Sequence, residues 1–211
     1  MAIEQVRGLD VSIYQGPVNW DATRMAGISF AFAKATEGVH VGDPFFHANW
    51  RGMKEAGIVR GAYHFFLPNR DAAQQAKHFA ATVKLEPGDL PPVLDVEKPG
   101  AGSRRSYARA VKLWLHVVEQ ETGRRPIIYT YAAFWSEQMT DQFGDHPLWI
   151  AHYRVAHPRI PKGWSQWTFW QYSSTGRKRG VSGPVDLNRF NGSHAQLLAL
   201  TQPHEKPAAG S

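Results

Sequence analysis

Short apolar segments alternate with helix-like segments through the first two thirds of the chain, and this alternation restricts the possible folds more than any other feature. It predicts strands over residues 8–12, 30–35, 59–65, 92–97, 127–131, 148–151, 168–172 and 185–187. It predicts helices over 20–26, 45–56, 71–85, 103–122, 132–142 and 194–200, with Ser103 as the N-cap and Gly123 as the C-cap of the fourth. Alternation of this kind is typical of parallel βαβ units.

The alternation weakens after about residue 145, where the remaining strands are separated by loops rich in Pro, Gly and Arg. About eight strands then indicate an α/β fold in which a closed, TIM-like barrel has lost most helices of its second half. The 211 residues, of which 43% are hydrophobic, suit one domain with a sizeable core. We expect a single catalytic barrel over 1–201 and a flexible tail over 202–211.

Charge and composition exclude several classes of function. The net charge of +6 favours polyanionic partners, but Arg104-Arg105 and Arg177-Lys178-Arg179 belong to no nucleic-acid-binding motif. No segment approaches the roughly 20 apolar residues of a membrane span, and residues 1–7 lack the apolar centre of a secretory signal. The chain has no cysteine, which excludes disulfides, thiolate metal sites and cysteine nucleophiles.

Two carboxylates stand two residues apart in Leu94-Asp95-Val96-Glu97. On a strand, side chains at i and i+2 share a face, so Asp95 and Glu97 are predicted to lie side by side while Leu94 and Val96 are buried opposite. Such acids are costly to bury unless they are paired or used. Two carboxylates in one cleft are also the minimum equipment for cleaving a glycosidic bond.

Other polar and aromatic residues fall where the predicted strands end, which is the end that carries the chemistry in barrels of parallel strands. These residues are Asp10 on the first strand, Tyr63 and His64 on the third, Tyr129 on the fifth, Gln171 on the seventh and Asp186 on the eighth. Strands one and eight become neighbours when a barrel closes, which brings their two acids close to Asp95 and Glu97.

Each candidate has a plainer interpretation. Glu97, the expected general acid, could instead pair with a basic residue, and Asp95 could stabilise positive charge or only orient its neighbours. Asp10 could cap the turn toward Gln15, and Glu37 could serve its loop as readily as a ligand. His64 is expected to support the site by hydrogen bonding rather than as a base. Neither a metal-binding histidine spacing nor a GxSxG elbow is present, so no metal and no cofactor are expected.

Eight ordered sequence blocks resemble the glycoside hydrolase family 25 lysozymes, the Chalaropsis-type N-acetylmuramidases. The blocks are Gly8-Leu9-Asp10-Val11-Ser12 with Tyr14-Gln15-Gly16, Ala33-Lys34-Ala35-Thr36-Glu37-Gly38, Gly61-Ala62-Tyr63-His64-Phe65, Leu94-Asp95-Val96-Glu97, Ile128-Tyr129-Thr130, Leu148-Trp149-Ile150-Ala151, Trp170-Gln171-Tyr172 and Val185-Asp186-Leu187-Asn188. The resemblance runs from about residue 7 to 192.

This resemblance implies an irregular (β/α)5(β)3 barrel that cleaves the β-1,4 bond between N-acetylmuramic acid and N-acetylglucosamine in peptidoglycan. It implies catalysis by Glu97 and Asp95, with Asp10, Asp186, Tyr14, Tyr63, His64, Tyr129 and Gln171 as binding or supporting residues. The expected enzyme is a monomer that acts on the bacterial cell wall outside the cell, with anionic wall polymers as a further partner for its positive charge.

The attacking group is left open between Asp95 and the substrate's own 2-acetamido carbonyl, and the sequence favours the second because both acids of the pair lie on one side of the ligand. Two other functions are considered: a non-catalytic barrel that binds wall carbohydrate, and a polysaccharide deacetylase that uses a metal on the Asp cluster.

Overall fold

Eight strands of the computed structural model close into a barrel. A ninth, very short strand pairs with the C-terminal end of the second strand, at the end of the barrel that we call the upper end. The structure describes residues 5–140 and 142–202. The strands are β1 (Arg7–Val11), β2 (Phe30–Glu37), β3 (Val41–Gly42), β4 (Val59–Phe65), β5 (Val93–Asp95), β6 (Ile127–Tyr131), β7 (Leu148–Ala151), β8 (Phe169–Gly176) and β9 (Val185–Phe190). All eight predicted strands are confirmed; β3, which pairs with β2 as an antiparallel hairpin, was not predicted.

Five strands of the barrel are each followed by a helix; the next two are not, and the last is followed only by one short helix. The helices are α1 (Trp20–Met25), α2 (Phe46–Glu55), α3 (Ala72–Thr82), α4 (Arg104–Thr122), α5 (Ala132–Gln138) and α6 (His194–Ala199). Ser103 caps α4 by accepting the Ser106 N–H, and Gly123 ends it with φ at 67°, as predicted. The irregular (β/α)5(β)3 barrel is therefore confirmed. The predicted tail beyond Gln202 lies outside the described residues.

The last strand runs against the others. Neighbouring strands from β1 to β8 around the barrel are parallel, whereas β9 is antiparallel to both β8 and β1. The prediction of an all-parallel barrel is wrong at this strand, because the loop 177–184 is shorter than the dozen or so residues that a parallel crossover needs. As a result, the first residues of β9 lie at the same end of the barrel as the last residues of the parallel strands.

The barrel interior is filled by aromatic side chains. On β2, Phe30 and Phe32 point inward while Ala31, Ala33 and Ala35 face the helices, following the alternation of a strand. Phe32 stacks on Trp149 with ring centroids 4.4 Å apart, and Phe169 packs 5.1 Å from both Phe30 and Phe32. This packing closes the barrel from below, so an internal cavity can open only at the upper end.

Buried cations tie the lower end, or base, of the barrel together. The Arg60 guanidinium bonds to the buried Asp89 carboxylate at 2.7 Å. Arg124 donates to the main-chain carbonyls of Asp89, Leu200 and Thr201, which fixes the segment after α6 against the base. Of the helices in the described residues, none combines the length and the apolar character needed to cross a bilayer.

Candidate active site

A cavity of about 480 Å³ opens at the upper end of the barrel. Its lining brings together eight of the nine residues that the sequence analysis named: Asp10, Tyr14, Tyr63, Asp95, Glu97, Tyr129, Gln171 and Asp186. A second cavity of about 570 Å³ lies beside it and shares Glu97, Tyr129 and Tyr153 with the first. The two cavities are therefore lobes of one cleft, and Glu97 stands where they meet.

Asp95 and Glu97 both reach this cleft although only Asp95 belongs to a strand. β5 ends at Asp95, two residues earlier than predicted. The Val96 N–H still donates to the Tyr129 carbonyl, and the Thr130 hydroxyl donates to the Val96 carbonyl. These bonds keep the extended alternation for one more residue, so Leu94 and Val96 are buried in the outer core while the two acids line the cavity.

The Asp95 carboxyl is 6% exposed. Burial and the neighbouring Glu97 raise its pKa well above the usual range, and Lys34 offsets part of that effect. One of its oxygens, Oδ1, is buried without a hydrogen-bond partner in the described part of the chain. Asp95 thus lines the cavity and keeps one unpaired carboxyl oxygen.

Burial and the charge of Asp186 raise the pKa of Glu97, while Lys34 and Lys98 lower it. Glu97 is only half-buried, at the junction of the two lobes. A carboxyl of raised pKa keeps its proton to higher pH, which suits it to donate that proton to a leaving oxygen.

Asp10 and Asp186 form a second pair of acids, directly opposite each other on the antiparallel strands β1 and β9. Asp10 Oδ2 accepts hydrogen bonds from Gln171 Nε2 at 2.9 Å and from Asn188 Nδ2 at 2.7 Å. Burial and the Asp186 charge raise the pKa of Asp10, against the effect of these two amides. Asp10 does not cap the following turn, because Ser12 and Gln15 form the capping box there.

Gln171 connects this acid pair to the aromatic wall. Its Oε1 accepts the hydroxyl of Tyr129 at 2.9 Å and also the hydroxyl of Tyr153, while its Nε2 donates to Asp10. Trp149 Nε1 donates to Asn188 Oδ1 at 2.8 Å and so fixes the second amide that holds Asp10. The orientation of Asp10 is therefore set by a continuous network of hydrogen bonds.

Two tyrosines complete the predicted set. Tyr63 lies edge-on to Trp149, and burial together with the nearby acids raises the pKa of its phenol well above 10. Tyr14 stands at the rim with 89% of its side chain exposed. An exposed aromatic at the mouth of a polar cavity is available to stack on a sugar face.

His64 does not line the cleft, and its predicted supporting role at the site is wrong. Since Tyr63 points into the barrel, the next residue on β4 must point outward. His64 is completely buried between the strands and helices, where its ring nitrogens contact Thr36 Oγ1 at 2.7 Å and Gln75 Oε1 at 3.1 Å. Burial lowers the pKa of His64 to about 3, so the ring stays neutral and serves the core.

Lys34, Trp149 and Tyr153 are among the cleft residues that were not predicted as site residues. Lys34 continues the inward series of Phe30 and Phe32 at a spacing of two, a signal that the sequence contained. Its ammonium bonds to Glu37 Oε2 at 2.6 Å, so Glu37 lines the cavity as part of an ion pair. Tyr153 comes from the irregular loop after β7, which carries no periodic signal.

No group of three or more His, Cys, Asp or Glu side chains within 5–140 and 142–202 is arranged to hold a metal ion.

Known proteins share this fold and a large part of this sequence. The chain is 42% identical to lysozyme M1 of Streptomyces globisporus, over 92% of this chain and 71% of that protein. It is 33% identical to the N,O-diacetylmuramidase of a Chalaropsis species, over 86% of this chain and 96% of that protein. The crystal structure of a bacterial lysozyme from Streptomyces coelicolor superimposes with a TM-score of 0.89 at 42% identity, covering 93% of this chain and 96% of that one.

The family model of the glycosyl hydrolases family 25 matches residues 9–181, which include three of the four acids of the site; Asp186 lies just beyond. This chain belongs to glycosyl hydrolases family 25.

Proposed function

We propose that this protein is a lysozyme, a peptidoglycan hydrolase that cleaves the β-1,4 bond between N-acetylmuramic acid and N-acetylglucosamine. The observation that carries the proposal is the cleft in which Glu97 and three further carboxyls converge at the upper end of the barrel. The catalytic unit is proposed to span 1–201, and its substrate places the enzyme at the bacterial cell wall, outside the cell.

Glu97 is proposed as the general acid that protonates the glycosidic oxygen. Because Glu97 lies between the two lobes, the sugars on the two sides of the glycosidic bond occupy different lobes. Asp10, Asp95 and Asp186 line the first lobe, and their negative field favours the positive charge that develops on the ring whose bond breaks. The second lobe, lined by Tyr131, Ala132 and Ala151, then receives the sugar that leaves.

We infer that the acetamido carbonyl oxygen of the reacting sugar attacks its own anomeric carbon as the protonated glycosidic oxygen leaves. Water then opens the resulting oxazoline, and the two successive inversions retain the configuration. The free Oδ1 of Asp95 supports this route, because a buried acceptor without a partner suits the N–H of an acetamido group. Asp95 as a direct nucleophile is the alternative. A stable thiazoline, in which sulfur replaces the ring oxygen of the oxazoline, is expected to compete with substrate if the acetamido group takes part.

Mass spectrometry of digested peptidoglycan tests the proposal. After borohydride reduction, every new end is expected to be a reduced N-acetylmuramic acid, since the bond on its C1 side is the one that breaks. New ends made of reduced N-acetylglucosamine would assign a different bond. Binding to walls without new reducing ends would indicate a carbohydrate-binding barrel, and loss of acetyl groups that a chelator prevents would indicate a metal-dependent deacetylase.

The pH profile is expected to move when Lys98 is replaced by glutamine. Lys98 lowers the pKa of Glu97, so its removal raises that pKa. Because the general acid must be protonated, the alkaline limb of kcat/KM should shift to higher pH, while the acid limb shifts less. Lys77→Gln, an equal change of charge on the exposed face of α3, serves as the control and should leave the profile in place. A shift of the Lys98→Gln profile to lower pH would contradict the role of Glu97 as acid.

A further inference from the structure

The cleft does not end at the second lobe. A third cavity, of about 430 Å³, shares Arg159 with that lobe and is also lined by Arg104 and Lys162. Glu97 joins the first lobe to the second, and Arg159 joins the second to the third. The three cavities thus follow one another in a row, with the third beyond the lobe assigned to the leaving sugar, and this third cavity is edged by three cations.

The fold fixes the main chain of Arg159 and the guanidinium of Arg104. The Arg159 main-chain N–H donates to Nδ1 of His152 at 2.9 Å, which pins the loop after β7 to the end of that strand. The Arg104 guanidinium donates to the carbonyls of Ser136 and Glu137 at the end of α5. The Arg104 charge is therefore fixed in place, and the backbone that carries Arg159 is anchored beside the second lobe.

Among the described residues, no acid lines the third cavity. Glu137 is near enough to raise the pKa of Tyr131, but its carboxylate does not line the third cavity. The Arg159 and Lys162 side chains form no hydrogen bond or ion pair with the described residues, which leaves their donors available to an anion in solution. Both residues are exposed.

We propose that the third cavity binds the carboxylates of the stem peptide on the second sugar beyond the scissile bond. This inference rests on the proposed function. If N-acetylmuramic acid reacts in the first lobe and N-acetylglucosamine leaves through the second, the alternating strand places the next muramic acid, which bears the peptide, at Arg159 and Lys162. Arginine and lysine bind carboxylates through charge-assisted hydrogen bonds.

Two synthetic tetrasaccharides of alternating N-acetylglucosamine and N-acetylmuramic acid test the inference. They differ only in whether the carboxyls of the stem peptide are free or converted to amides. The native enzyme is expected to cleave the free-acid form with roughly tenfold higher kcat/KM, an effect of the size given by one hydrogen bond to a charged group. In a double variant, Arg159→Gln with Lys162→Gln, the ratio between the two substrates should fall toward one.

The double variant Arg177→Gln with Lys178→Gln is the matched control. It also removes one arginine and one lysine charge, but from the β8–β9 loop, and should keep the native ratio. A ratio unchanged in the Arg159 and Lys162 variant would overturn the inference, as would equal cleavage of both substrates by the native enzyme. If the variant is impaired only on walls that retain phosphodiester polymers, the cations serve those polymers and the peptide assignment is wrong. If the native enzyme cleaves neither tetrasaccharide, the proposed function itself fails.

Discussion

Replacing Glu97 by glutamine is expected to lower kcat/KM on peptidoglycan by about 10³-fold, within the range that positioned acid catalysis contributes. Glutamine keeps the shape of the side chain but cannot release a proton to the glycosidic oxygen. Glu97 makes no side-chain hydrogen bond or ion pair with another described residue, so the thermal unfolding temperature should not fall. The release of reducing ends from purified walls measures the activity.

A substrate with an activated leaving group separates this role from a structural one. An aryl glycoside of N-acetylmuramic acid, with an acidic phenol as the leaving group, needs little help from an acid. Glu97→Gln should therefore lose far less activity on this substrate than on the wall. Glu55→Gln, at the exposed end of α2, makes the same chemical change away from the cleft and should retain native activity. An equal loss by Glu97→Gln on both substrates would exclude proton donation as its role.

Replacing Asp95 by asparagine is expected to reduce activity by about 10²-fold or more while making the protein more stable at neutral pH. The pKa of Asp95 is higher in the folded state than in the unfolded state. Its contribution to the free energy of unfolding is therefore full at acid pH, where the carboxyl is protonated, and is lost as the pH rises through the folded-state pKa. Asparagine stays neutral. The gain in the free energy of unfolding should thus be largest near pH 7 and disappear at low pH, as urea titrations at several pH values would show.

Asp89→Asn is the matched control, since Asp89 is equally buried but bonded to Arg60. Its replacement leaves the buried guanidinium with only the half-exposed Glu86 carboxylate as countercharge and should cost ~3 kcal/mol or more. The same substitution is thus expected to change stability in opposite directions at the two sites. A loss of stability in Asp95→Asn at neutral pH would show that the ionised carboxylate is held by favourable contacts.

Most of the fold was predictable because strand and helix periods are local properties of the sequence. Alternation places Asp95 and Glu97 on one face, and it also determines the direction of two further side chains. By the same alternation, Lys34 follows Phe30 and Phe32 into the barrel, and His64 must point away from the face of Tyr63. The directions of both side chains are therefore contained in the local sequence.

Other features depend on contacts between distant segments. The antiparallel direction of β9 is decided by the short β8–β9 loop and by pairing with β1, which lies at the other end of the sequence. Tyr153 enters the cleft from an irregular loop because its hydroxyl reaches Gln171. Asn188 shares the Asp10 carboxylate with Gln171, and no local pattern connects residues so far apart along the chain.

The reversed direction of β9 also determines where another protein could be attached. β1 begins at the base of the barrel, and β9 ends there, with the segment after α6 fixed to the base by Arg124. A fusion partner or a surface linker joined ahead of Arg7 or behind Thr201 therefore starts from the side opposite the cleft. With either attachment the cleft faces away from the support and stays open to a strand of insoluble wall. The barrel is therefore suited to immobilisation through either attachment point.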